Sequence, residues 1–97
     1  MLILECVIFS VKPGSELHFE TGYESAKPHL RGAPGCRGVE LRRGIENPSD
    51  YLLLVHWDRI EDHMEDFRKS ESFLKWRAPI EPFMAAPPRM VHYGPVV

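Results

Sequence analysis

A chain of 97 residues, 43% hydrophobic and 27% charged, has the composition of one folded domain spanning residues 1–97 and is too short for two domains with a cleft between them. Twelve Lys and Arg against 14 Asp and Glu leave a net charge of −2, so no long-range attraction favours nucleic acid as a partner. Two cysteines, Cys6 and Cys36, have no CxxC spacing, and no run reaches the roughly 18–20 apolar residues of a membrane helix, so the expected location is cytoplasmic and away from membranes.

Residues 2–11 are aliphatic and β-branched, lack a basic leader and are interrupted by Glu5. They predict a strand rather than a signal peptide, stopped by Lys12, Pro13 and Gly14. Ser15 and Glu16 open a helix whose apolar stripe is Phe19, Tyr23, Ala26 and Leu30. Gly22 lies on the same stripe and allows close approach of a neighbour, Pro28 tightens the last turn, and Arg31 and Gly32 end it. After the turn at 32–35, residues 36–45 alternate Val39, Leu41, Arg43 and Ile45 with Gly38, Glu40, Arg42 and Gly44, a half-exposed strand. Residues 46–50 form a short connection into 51–57, so the second and third strands are expected to pair antiparallel. Asp58 is placed to cap a helix, with Glu61 completing an Asp-x-x-Glu box and Ile60, Met64 and Phe67 as the buried stripe. A further helical stretch from Ser72 carries Phe73, Trp76 and Ile80, interrupted by Pro79 and Pro82, before a short last strand at 89–93.

The order strand, helix, strand, strand, helix, strand is the α+β, ferredoxin-like βαββαβ plan, with helices on one face of the sheet. The first and third strands are apolar on both faces: Leu2, Leu4, Cys6 and Ile8 opposite Ile3, Val7 and Phe9, and Leu52 and Leu54 opposite Leu53, Val55 and Trp57. Two helices cover one face, so a second copy of the chain is expected on the other, giving a homodimer packed sheet against sheet.

Several features taken together resemble the antibiotic biosynthesis monooxygenase domains, a branch of the dimeric α+β barrels. They are Val11-Lys-Pro-Gly14 closing the first strand, Pro34-Gly35-Cys36-x-Gly38-x-x-Leu41 entering the second, Trp57 ending the third, and Ser70-x-x-Phe73 after the helix. The resemblance implies a homodimeric barrel with a pocket between sheet and helices in each subunit, and an activity of the cofactor-independent oxygenase kind. In the haem-degrading branch of the family an Asn, a Trp and a His carry the function; the corresponding positions here are Val7, Phe67 and Arg77. A guanidinium is no neutral nitrogen ligand for iron and Val7 makes no hydrogen bond, so haem degradation falls behind and no cofactor is expected.

Oxygenation without a cofactor needs a substrate that is itself the electron donor, a base that removes its proton, and an apolar pocket that holds the anion near dioxygen. The candidate bases are His56, His63 and His92; the alternative for each is a structural or surface histidine. His18 and His29 are expected to face solvent. Trp57, Tyr51, Phe67, Phe73 and Tyr93 are the candidate lining of a substrate pocket, with plain core packing as the alternative for the buried rings. No metal-ligand motif or phosphate loop is present, and Glu61, Asp62, Glu65 and Asp66 read as a solvated helix face. The expected function is oxidation of a small aromatic or quinol-type compound by dioxygen; the alternative is a non-catalytic dimeric barrel that binds a hydrophobic small molecule.

Overall fold

The computed structural model describes residues 2–96. Four strands form one antiparallel sheet in the order β2-β3-β1-β4, with β1 at Ile3–Ser10, β2 at Cys36–Arg43, β3 at Asp50–Trp57 and β4 at Arg89–Tyr93. The two strands whose residues are apolar on both faces, β1 and β3, are the central pair, as that pattern requires.

Helix α1, Glu16–Arg31, lies on one face and buries Phe19, Tyr23, Ala26 and Leu30, the stripe expected from its periodicity. Its Gly22 faces the Pro79 carbonyl so closely that a methyl group would collide with it, which explains the missing side chain. Helix α2, Glu71–Arg77, is capped by the Ser70 hydroxyl, which accepts from the Phe73 N–H, and buries Trp76 edge-on to Tyr23 at 5.9 Å between ring centres. The inner face of the sheet, Val7, Phe9, Tyr51, Leu53, Val55 and Trp57, closes against these helices as the core.

The segment between β3 and α2 departs from expectation. Instead of an α-helix capped by Asp58, residues Asp62–Phe67 wind as a π-helical turn, closed by the Arg68 N–H donating to the His63 carbonyl at 2.9 Å. Asp58 is taken by Arg37 in a two-pronged pair at 2.8 and 2.7 Å, and it is the Asp62 carboxylate that accepts from the Arg59 N–H, at 3.1 Å. Asp62 is therefore buried rather than solvated, held against Gly35, whose φ of +86° and lack of a side chain leave room for it. With that winding the inward residues are Asp62, His63 and Phe67, while Ile60 is exposed and Met64 half-buried. Two smaller expectations also change: Ile45 lies beyond β2 and is exposed, and His29 is half-buried; Cys6 sits half-buried on the outer sheet face. Among the described residues no helix is long and apolar enough to cross a membrane.

Candidate functional site

The parity of β1 puts Glu5 on the inner face with Val7 and Phe9, so a carboxyl group enters the core at 6% exposure. Register places His92 beside it on β4 and Val55 beside it on β3. Two residues further along the inner face of β3, Trp57 donates its indole N–H to Glu5 Oε1 at 2.9 Å. From above, the π-helical turn lowers His63, 4% exposed, onto the Trp57 ring at 5.3 Å and 22°, with Nε2 3.4 Å from Glu5 Oε2. Its Nδ1 lies 2.8 Å from His92 Nε2. One carboxyl and two imidazoles thus form a chain running from the buried end at Glu5 to the half-buried His92.

Burial sets the charge state of this chain. It pushes the Glu5 pKa from 4.5 to about 7, with the Trp57 hydrogen bond and the Arg68 charge pulling the other way. The same desolvation, reinforced by His92 and Arg68, lowers His63 from 6.5 to about 4, and His92 is lowered by burial and Arg68. Both effects favour a neutral acid beside neutral imidazoles over a buried ion pair. The His63 tautomer then follows Glu5: a protonated Glu5 donates to Nε2 and leaves Nδ1–H for His92, whereas an ionised Glu5 accepts from Nε2–H.

Glu5 and His63 border a cavity of about 720 Å³, within the roughly 300–1,000 Å³ of small-molecule sites. Glu5 and His63 share its wall with Phe67, Phe73, Trp76 and Arg68, and the chain entering β4 at Pro87 and Pro88 supplies another side. Phe67 and Phe73 meet edge to face at 5.6 Å and 88°. The three positions that differ from the haem-degrading pattern, Val7, Phe67 and Arg77, all lie on this wall, and Arg77 is tied to Glu81 at 2.6 and 2.8 Å. Both ring nitrogens of His63 face protein partners, and among the described residues no three His, Cys, Asp or Glu side chains group as metal ligands.

The structure brings His63, His92, Phe67 and Phe73 together, with Trp57 directly behind them. It separates the other three candidates. His56 and Tyr93 point from the outer face into solvent, Tyr93 at 59% exposure, because each follows or precedes an inward residue on its strand. Tyr51 is buried at the far end of β3, where its hydroxyl donates to Glu20 beside a second, polar groove of about 550 Å³. Two residues of the site escape a reading by motif: Glu5, whose only signal is its inward parity between Ile3 and Val7, and Arg68, placed by the π winding.

Residues 3–79 match the model of the antibiotic biosynthesis monooxygenases. The chain belongs to that family. A structure from Bordetella bronchiseptica assigned to it superposes with a TM-score of 0.94 at 41% identity, covering 99% of this chain and 98% of the other. The uncharacterized protein YczJ of Bacillus subtilis is 33% identical over 95 residues, covering 98% of this chain and all of YczJ. SnoaB of Streptomyces nogalater, a cofactor-independent oxygenase, shares the fold at a TM-score of 0.84 and 14% identity, covering 99% of this chain and 94% of SnoaB.

Proposed function

We propose that this family member is a cofactor-independent monooxygenase that oxidises a small aromatic or quinol-type compound with dioxygen. The observation that carries the reading is the Glu5 carboxyl, buried beside His63 and His92 on the wall of an aromatic cavity and held near pKa 7. A base of that pKa is partly ionised at neutral pH and strong enough to accept a proton from an acidic substrate. The SnoaB likeness adds that the fold accommodates such chemistry.

In the proposed reaction the ionised Glu5 takes a proton from an activated CH₂ or hydroxyl group. The substrate anion gives one electron to dioxygen, and the resulting radical and superoxide combine into a carbon–oxygen bond. Protonation yields a hydroperoxide, which loses water with the remaining hydrogen on that carbon to leave a carbonyl. One oxygen atom enters product, the other leaves as water, and the substrate supplies all four electrons that reduce dioxygen. His63 and His92 pass the proton on from Glu5, the hydrogen leaving His63 Nδ1 for His92 Nε2 as Nε2 of His63 receives one. Phe67, Phe73 and Trp76 keep the anion in an apolar wall.

The reading includes self-association. On the outer sheet face Leu4, Cys6, Leu52 and Leu54 lie with the exposed Ile8, Val91 and Tyr93, an apolar surface that a second copy would cover. Oxygen uptake after anaerobic mixing with hydroquinones and anthrones tests the activity. Glu5→Gln is expected to slow it by about 10²–10⁴-fold; uptake equal to buffer, or unchanged by Glu5→Gln, refutes it. The binding-only alternative is favoured by Val7 and Phe67, which stand on the cavity wall where the haem-degrading branch has its Asn and Trp. Native mass spectrometry showing a retained ligand, without oxygen uptake, would select it.

A further inference from the structure

The cavity wall carries a cation without an ion-pair partner. Of the two guanidinium groups on this wall, Arg77 is matched with Glu81, as Arg37 is with Asp58, Arg59 with Asp62 and Lys69 with Glu65 elsewhere. Arg68 borders the cavity, makes no ion pair among the described residues, and holds its guanidinium over the Phe73 ring at 5.8 Å from the centre. Its position depends on the winding of its segment. In an α-helix the residue five after His63 would be turned about 140° away from it. The π turn, closed by the Arg68 N–H on the His63 carbonyl, is wider and carries Arg68 round to the wall that His63 occupies. Such turns are uncommon and recur at functional sites.

We infer that Arg68 recognises an anionic oxygen, and that the ligand of this cavity is a planar aromatic compound whose phenol or enol hydroxyl is bound in ionised form. The charges balance without any further group. Before proton transfer the cavity holds the Glu5 carboxylate and the Arg68 guanidinium; afterwards the negative charge sits on the ligand oxygen, Glu5 is neutral, and Arg68 supplies a charge-assisted hydrogen bond to the new anion. The field of Arg68 also reaches Glu5, where it favours the carboxylate, so the same cation supports the base before the step and the ligand after it. Aromatic rings at Phe67, Phe73 and Trp76 suit a flat ligand body.

The inference rests on this cavity being the substrate site, but it concerns binding and not oxygen chemistry. The probe is 4-nitrophenol, whose phenolate band reports ionisation, with 4-nitroanisole as the uncharged analogue and protein tryptophan fluorescence as the common readout. The wild type is expected to bind 4-nitrophenol at least about tenfold tighter than 4-nitroanisole and to raise the phenolate band of the bound probe. Arg68→Gln removes both effects, Arg68→Lys keeps part of the preference, and Arg89→Gln, a cation on the outer face of β4, keeps all of it. Equal binding of the two probes, binding of neither at millimolar concentration, or a preference that survives Arg68→Gln overturns the inference. A preference found in a protein that consumes no oxygen overturns the oxygenase reading and leaves the inference standing.

Discussion

Replacing Glu5 by Gln tests the electrostatics of the site independently of any substrate. The amide has nearly the shape of the acid, and its oxygen still accepts from the Trp57 indole, but it does not titrate. In the wild type the pKa rises from 4.5 in the unfolded chain to about 7 in the fold, because burial penalises the carboxylate. Between those values the folded state binds the Glu5 proton more strongly, so this contribution to stability is fully present below pH 4.5 and is lost as pH rises through 7. At about 1.4 kcal/mol for each pH unit, the loss is about 3 kcal/mol. His63, lowered to about 4, contributes the opposite slope from pH 4 to 6.5, but it is present in both proteins and drops out of the difference. Urea denaturation at pH 4, 6 and 8, followed by the fluorescence of Trp57 and Trp76 at one protein concentration, measures the quantity. The stability of Glu5→Gln relative to wild type should climb by about 3 kcal/mol from pH 4 to pH 8. A flat difference refutes the buried acid, and a falling one means that Glu5 folds as a carboxylate paired with a protonated His63.

The remaining predictions concern activity, packing and assembly. If Glu5 is the base, kcat/KM rises with pH through about 7, and Trp57→Phe, which removes a donor that lowers the Glu5 pKa, moves the midpoint upward; an unmoved midpoint refutes the assignment. Gly22→Ala adds a methyl group against the Pro79 carbonyl, and overpacking at about 1–3 kcal/mol outweighs the gain of about 1 kcal/mol in helix propensity, so the melting temperature falls, whereas a rise would show that α1 has room to move. Leu54→Glu on the outer face yields a folded monomer by sedimentation, while Leu53→Glu on the inner face prevents folding; a Leu54→Glu protein that still dimerises places the self-association surface elsewhere.

The fold is legible in the sequence because its signals are periodic. Alternation marks the strands, β1 and β3 announce their central position by being apolar on both faces, and the Phe19, Tyr23, Ala26, Leu30 stripe places α1. The same alternation orders the site once a single residue is oriented: with Trp57 inward, its neighbour His56 must point outward, and His92 excludes Tyr93 in the same way. What periodicity of 3.6 does not reveal is a change of winding. Reading 58–67 as an α-helix selects Ile60, Met64 and Phe67 as the inner stripe, and only the π turn brings Asp62, His63 and Arg68 to the places they hold.

Glu5 shows why a site of this kind escapes a search by motif. A carboxylate within an aliphatic run reads as an interruption that argues against a signal peptide, yet on β1 it occupies an inward position of a central strand. An ionised group there would cost several kcal/mol unless compensated. Its compensation comes from residues 52, 58 and 87 positions away, Trp57, His63 and His92, brought to it by pairing of β1 with β3 and β4 and by the turn above the sheet. The partners therefore exist only in the folded chain, while the strain they relieve is already visible as a charge at the wrong parity. A charged residue in the inward register of a central strand is the signal that sequence reading should follow to a buried site.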